Sequence, residues 1–285
     1  MTFIVGGRGR LGAALARAHP AGAATCLDRN VYAGWSTRGA EQAVADFFAP
    51  WAGSGATVYV ASGLLDPRLD ARQLEAVNLD LPRNVIAGAG VHGLRVVTFG
   101  TVMETLLARQ NPYVQSKSAL GSHVAALAAD GANVAHIRVH TLFGGGAPSA
   151  FMFLGLIADA LRTHTPFRMT QGKQLREYHH VDDEARAVTH LSTAGRRGVF
   201  DLSSGMPVSL HALAESCFAA FGASDLLHVG AIPEPGDENY ATVFARDPLL
   251  AQDMFRPTLP AIHAYLADCG IAPHSSHSSR TATDQ

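Results

Sequence analysis

A glycine-rich turn between two short periodic segments, close to the amino terminus, constrains the fold most strongly. Phe3–Gly6 is an apolar run, Leu11–Ala18 is Ala/Leu-rich with helical spacing, and Gly6-Gly7-Arg8-Gly9-Arg10-Leu11-Gly12 joins them. A short apolar run without polar alternation reads as a strand buried on both faces. Each glycine of the GxxGxxG then has a task. Gly6 permits the tight strand-to-helix turn, Gly9 lets the backbone approach a diphosphate, and Gly12 lets helix and strand pack closely. The helix start adds free N–H groups and a partial positive charge. In a chain with 28 glycines a triplet alone could be a plain turn. Its place between strand and helix makes Gly6, Arg8, Gly9, Arg10, Leu11 and Gly12 candidate dinucleotide-binding residues.

The alternation continues. Strands are expected at Ala23–Leu27, Ala56–Ala61, Leu94–Phe99 and Ala132–Val139, with helices at Ala40–Phe48, Leu69–Ala89 and Tyr113–Ala129 between them. Strands alternating with helices imply an α/β fold of the Rossmann type, a doubly wound parallel sheet. From Phe143 the pattern loosens. A Gly144–Pro148 loop precedes a helix over Ala150–Arg162, and Val199–Leu202 could return to the sheet. Ser209 is placed to cap a helix running to Phe221, and a last helix covers Leu259–Cys269. The expected division is a dinucleotide-binding domain over 1–142, with 177–204 returning to it. A smaller C-terminal α/β substrate-binding region comprises 143–176 and 205–272. The polar stretch 273–285 has little to bury and is expected to be disordered, so His274 and His277 read as solvated.

Composition removes several classes of function. Of 285 residues 47% are hydrophobic and 16% charged, enough to build a core. Lysine and arginine total 22 against 24 acidic residues, so no basic field exists to attract nucleic acid or an acidic membrane surface. Cys26, Cys217 and Cys269 lie far apart with no CxxC, which argues against a zinc site or a disulfide framework. No run of 18 apolar residues occurs, and Met1–Val5 lacks a basic export n-region. The expectation is a cytoplasmic protein with a small-molecule partner, no nucleic acid, no membrane and no metal.

Asp28, at the end of the second expected strand, can accept hydrogen bonds from adenine-ribose hydroxyls, which favours NAD. Arg8 and Arg29 could instead hold a 2′-phosphate. A unit charge pair at 4 Å is worth about 4 kcal/mol at an effective dielectric near 20, so the two influences are of similar size. The reading is NADP(H) or NAD(H), with a lean to NADP(H). Asp46 and Phe47 are candidates for the adenine edge. Ala61, Ser62 and Gly63 end the next strand, where small residues let a cofactor lie close.

Tyr113-Val114-Gln115-Ser116-Lys117 is a YxxxK, whose spacing puts both side chains on one helix face. A free tyrosine ionises near pH 10 and is a poor acid–base group at neutrality. An ammonium one turn away favours the phenolate. Tyr113 could then exchange a proton with a carbonyl oxygen, while Lys117 also holds the cofactor ribose. By itself the pair could be a packed tyrosine beside a solvated lysine. Thr101, just after the strand Leu94–Phe99, supplies a hydroxyl where such sheets bind ligands, able to steady the substrate oxygen. Thr98 is the competing candidate but lies inside the strand.

In this order of motifs, from about residue 3 to 215, the chain resembles the short-chain dehydrogenase/reductase superfamily, in its extended, sugar-nucleotide-modifying branch. The resemblance rests on GxxGxxG, Asn78 in Ala76-Val77-Asn78-Leu79, Thr101, Asn111-Pro112-Tyr113-x-x-Ser116-Lys117, Ile137–Gly144 and Arg176–Asp183, which is similar to the branch's RDYxHVDD. It implies catalytic roles for Thr101, Tyr113 and Lys117, a cofactor role for Asn78 and His140, and a substrate site including Met103, Thr141 and Arg176, with Arg176 meeting a nucleotide diphosphate. The branch often has Asn where Thr141 stands, and the Thr101-to-Tyr113 spacing is short. The 4,6-dehydratases carry Asp-Glu after the threonine. Here Val102-Met103 stand there, neither moves a proton, and Glu104 comes one step late. The leading expectation is therefore an NAD(P)H-dependent ketoreductase acting on a nucleotide-linked 4-keto-6-deoxysugar. Alternatives are a sugar-nucleotide 4-epimerase, a ketoreductase of a polyketide or other specialised metabolite, and a cofactor-sensing binding module. Homodimerisation through Leu69–Ala89 and Tyr113–Ala129 is a further expectation from the resemblance.

Overall fold

The computed structural model describes residues 1–66, 68–108 and 111–273. His274, His277 and the rest of the tail lie outside the described residues. β1 (Thr2–Val5) runs through the glycine turn into α1 (Arg10–Arg17), followed by β2 (Ala24–Cys26), the short α2 (Arg29–Tyr32), α3 (Glu41–Phe48) and β3 (Thr57–Val60). One helical stretch then comprises α4 (Ala71–Glu75), a π turn (Ala76–Asp80) and α5 (Leu81–Gly90), leading to β4 (Arg95–Thr101). The single turn α6 (Met103–Leu106) precedes α7 (Pro112–Ala129) and β5 (Val134–Val139). Beyond these lie β6 (Thr141–Phe143), α8 (Phe153–Thr163), β7 (Phe167–Arg168), β8 (Leu175–Arg176) and β9 (Tyr178–His180). The described chain finishes with α9 (Val181–Thr193), β10 (Gly198–Asp201), β11 (Val208–Ser209), α10 (Leu210–Ala220), β12 (Leu227–His228) and α11 (Thr258–Asp268).

The central sheet has six strands in the order β10-β5-β4-β3-β1-β2, all parallel. The strand order reverses between β1 and β3, and in open α/β sheets ligands bind at the carboxyl ends of the strands flanking such a reversal. β1 and β4 are buried along their whole length, as their apolar runs require. Side-chain caps fix several of the helix starts. Asp70 forms a capping box with Gln73, Asn111 accepts from the Val114 N–H ahead of Pro112, and Ser209 accepts from the Ala212 N–H.

Two boundaries differ from the sequence reading in ways that matter to the site. β4 continues two residues past Phe99, because Gly100 and Thr101 still pair with Arg138 and Val139 of β5. Thr101 is thus the last residue of the strand rather than the first after it. The helix expected over Leu69–Ala89 is interrupted by the π turn, where the Leu81 N–H bonds the Ala76 carbonyl five residues back.

Apolar packing falls into three clusters. One face of the sheet packs against α3, α5 and α7 through Phe48, Val85 and Leu120; the other packs against α1 and α9 through Leu15, Ala185 and Val188. A third cluster joins α8, α10 and α11 through Ile157, Phe218 and Ile262. β10 pairs with β5 as the return of Val199–Leu202 to the sheet requires. The apolar face of α7 (Leu120, Val124) is spent inside the molecule.

Candidate active site

The glycine loop closes tightly on itself. The Gly9 N–H bonds the Gly6 carbonyl at 2.9 Å, and Gly6 has φ +85°, a conformation that favours glycine. A Cβ on Gly12 would lie 2.2 Å from the Gly6 carbonyl oxygen, and one on Gly6 would lie 2.5 Å from the Ser62 nitrogen. The loop therefore seats β1 against the end of β3 at the reversal of strand order. α1 starts at Gly9 with no side-chain cap and no acidic residue in its first turn, so its N–H groups suit an anion. This cradle fits a dinucleotide diphosphate.

Arg8 and Asp28 meet at the rim, 3.0 Å apart and both well exposed. Asp28 also accepts the Asn30 N–H at 2.9 Å, capping α2, and Arg29 is exposed at the start of that helix. Asp46 and Phe47 are not brought to this rim. They belong to the last turn of α3, where Asp46 accepts from Gln42 Nε2 and lines a surface cleft with Ala87 and His92. Phe47 stacks edge-on against Trp35. Both lie on the helix expected over Ala40–Phe48, and on it these side chains face α5 and the aromatic cluster.

Asn78, fully buried in the π turn, ties the crevice floor to α7. Its Oδ1 accepts the Leu64 N–H at 2.9 Å, and its Nδ2 donates to the Leu64 carbonyl at 3.0 Å and to Ser116 Oγ at 3.2 Å. Lys117 is buried and donates to the Phe99 carbonyl at 2.9 Å. A Cβ added to Gly63 would stand 3.5 Å from both Lys117 Nζ and Asn78 Oδ1. Desolvation pulls the Lys117 ammonium down to about 8, with Glu104 opposing the shift. Desolvation and the Glu104 carboxylate together push the half-buried Tyr113 phenol up to about 12. Thr101 is buried, and its Oγ1 accepts the Met103 N–H at 3.3 Å. Thr98 points the other way, its hydroxyl 2.8 Å from His136 Nδ1.

Met103, Thr141 and Arg176 come together on one cavity of about 270 Å³, which Arg10 also lines. Its walls are otherwise largely apolar, with Phe143, Met152, Phe153 and Leu210. Arg176 pairs there with Glu238, from the segment after Pro235, and also donates to the Leu175 carbonyl. Arg10 donates to the Ala147 carbonyl.

Beside the cavity runs a charged network that sequence periodicity did not reveal. Glu177 accepts from Ser203 Oγ, the Ser204 N–H and Ser204 Oγ, each at 2.6 Å. His179 lies between two carboxylates, with Nε2 3.0 Å from Glu177 and Nδ1 2.7 Å from Glu184. Burial opposes the imidazolium, yet Glu184 and Glu177 prevail and lift His179 to about 9. Burial also acts to raise Glu177, but His179, His140 and the serines hold it at about 2. His140, whose Nε2 is 3.8 Å from Glu177 and makes no hydrogen bond, is pulled by burial to about 4. The usable signal was the i, i+2 spacing of Glu177 and His179, which puts both on one face of an extended segment. His180 points away and accepts the Asp182 N–H, starting α9 with Asp182, Asp183 and Glu184 in its first turn. Among the described residues no group of three or more His, Cys, Asp and Glu is arranged to hold a metal ion, and no helix is long and apolar enough to cross a membrane.

Comparison with known proteins agrees with this fold. Among curated protein sequences none matches the chain. Solved structures share the fold at low identity. A dTDP-4-dehydrorhamnose reductase from Clostridium acetobutylicum is 17% identical, covering 94% of this chain and 99% of its own, with TM-score 0.69. A dTDP-glucose 4,6-dehydratase from Streptomyces venezuelae, solved with NAD, is 15% identical over 94% and 96% of the two chains, with TM-score 0.72. RMD from Pseudomonas aeruginosa, complexed with NADPH, is 16% identical over 94% and 99%, with TM-score 0.70. A profile of the NAD dependent epimerase/dehydratase family matches residues 2–201. With the glycine cradle at the sheet reversal and the YxxxK helix beside it, the chain belongs to the NAD dependent epimerase/dehydratase family.

Proposed function

We propose that this protein is a ketoreductase that reduces a nucleotide-linked 4-keto-6-deoxysugar, with a lean to NADPH over NADH. The observation that carries the reading is the local chain after Thr101. Val102 is buried and Met103 enters the cavity, while Glu104 turns away from it. The positions that would move protons in a dehydration are thus apolar, and what remains is the acid–base set of a reduction. When bound, the reduced nicotinamide supplies hydride to the carbonyl carbon. Tyr113, protonated in the free enzyme at neutral pH, gives its proton to the carbonyl oxygen. Lys117 offsets the phenolate left behind, and Thr101 Oγ1 steadies the same oxygen. Arg10 and Arg176 provide cationic groups for a diphosphate. Exposed Arg8 supports the lean to NADPH.

The Arg176–Glu238 pair favours a second reading. An arginine already neutralised, within largely apolar walls, suits a neutral ketone from specialised metabolism. The test follows consumption of reduced cofactor with a dTDP-linked 4-keto-6-deoxysugar and with a panel of neutral ketones. Turnover of the sugar nucleotide supports the first reading, and turnover of neutral ketones alone supports the second. Tyr113→Phe is expected to lower kcat by about 10²- to 10⁴-fold while cofactor still binds. Full activity in that variant would remove Tyr113 from the chemistry.

A further inference from the structure

Glu104 is a charged side chain that the motif pattern leaves unexplained. Its side chain is 5% exposed, wedged between β4, β5 and α7. Oε1 accepts the Thr101 N–H at 2.7 Å and lies 3.4 Å from His136 Nε2. Two glycines clear its space. A Cβ on Gly100 would stand 2.1 Å from Oε1, and one on Gly121 would stand 2.9 Å from Oε2. Neither glycine has positive φ, so backbone conformation does not call for glycine at either place. The carboxylate does, together with the His136 ring that also crowds Gly100.

The neighbourhood connects this carboxylate to the acid–base pair. Tyr113, Lys117 and Gly121 follow one another at four-residue steps on a single face of α7, so the carboxylate beside Gly121 lies about one turn below Lys117. On β5 the groups facing Glu104 are His136 and Arg138; Arg138 lines the same side cavity and pairs with Asp201 of β10 at 2.9 Å. His136, kept neutral by burial, can accept from Thr98 on Nδ1 and donate from Nε2 to Glu104. That arrangement holds the carboxylate in place.

We propose that Glu104 is a positioning residue, the buried counter-charge of Lys117 and the anchor of the Thr101 backbone. The inference rests on the reading of Tyr113 and Lys117 as an acid–base pair. A carboxylate there favours the Lys117 ammonium and disfavours the Tyr113 phenolate, and both effects vanish with its charge.

Composition makes the test direct. The chain contains two lysines, Lys117 and Lys173. In enzyme carrying ¹³C-labelled lysine and Lys173→Arg, one ε-carbon signal reports Lys117 alone, with no substrate needed. Its midpoint is expected near 8, falling by about one pH unit in Glu104→Gln. The amide keeps the side chain's shape and an acceptor for the Thr101 N–H. Gly121→Ala, whose new methyl displaces Oε2, is expected to move the midpoint the same way, and decides the matter if Glu104→Gln fails to fold. In parallel, the fall of kcat/KM for reduction at alkaline pH should begin about one unit lower in either variant. An unchanged Lys117 midpoint in a folded variant would overturn the proposal, even if melting temperature fell. Full activity of Tyr113→Phe would instead overturn the acid–base reading while leaving the Glu104–Lys117 coupling measurable by the same signal.

Discussion

Arg8 and Asp28 pair across the rim of the glycine loop, and the opposite cofactor preferences proposed for them are open to measurement. Arg8 is 84% exposed and reaches Asp28 only across the rim, so the ion pair is screened and contributes little to stability. Removing Arg8 should therefore read out on cofactor choice. Arg8→Ala is expected to weaken NADPH binding about tenfold and leave NADH binding within about twofold. Equal losses for both cofactors would assign Arg8 to the shared diphosphate instead. The glycines, Tyr113 and Lys117 were legible in the sequence because local spacing alone fixes their relation to a turn or a helix face. Glu104 and Glu238 were not, because their partners come from other elements. Nothing in Val102-Met103-Glu104 announces that Gly100 and Gly121 have cleared room for a carboxylate.

At the level of elements, the strands and helices were readable almost throughout the first two thirds, since buried strands are short apolar runs and the stretches between them keep helical spacing. Asn111, Asp70 and Ser209 all act as caps. The π turn was hidden because nothing in the local spacing marks it, and the Asn78 side chain within it bonds both Leu64 backbone groups, a tertiary contact. The segment after Pro233 was equally opaque, having no period to read. It delivers Glu234 to Gln174 and, on the cavity wall, Glu238 to Arg176. If a nucleotide diphosphate takes Arg176, it must displace Glu238. Glu238→Gln is then expected to tighten dTDP or UDP binding about tenfold, measured by calorimetry. Unchanged or weaker binding would show that Arg176 does not meet the nucleotide.

At the scale of the whole molecule, the buried histidines give stability a defined pH course. His179 titrates near 9 when folded against an ordinary 6.5, so its contribution is complete below about 6.5 and is lost as pH rises through about 9. His140 titrates near 4, so stability falls as pH drops from about 6.5 toward 4. Glu177, held near 2, adds a loss that begins below its ordinary 4.5. Melting temperature against pH is therefore expected to peak at about 6 to 7, and His140→Asn should flatten the acid limb alone. A flat course from about pH 5 to 9 would mean that the network does not couple to folding. One topological feature also bears on how the chain is made. β10 closes the flank of β5, yet everything from His140 to Arg197 must be synthesised before it leaves the ribosome. A nascent chain halted in that interval holds Val134–Val139 as a bare border strand, open to a second copy. Growth rate at the ribosome and chaperone supply, more than the finished fold's stability, should then govern the yield of active protein.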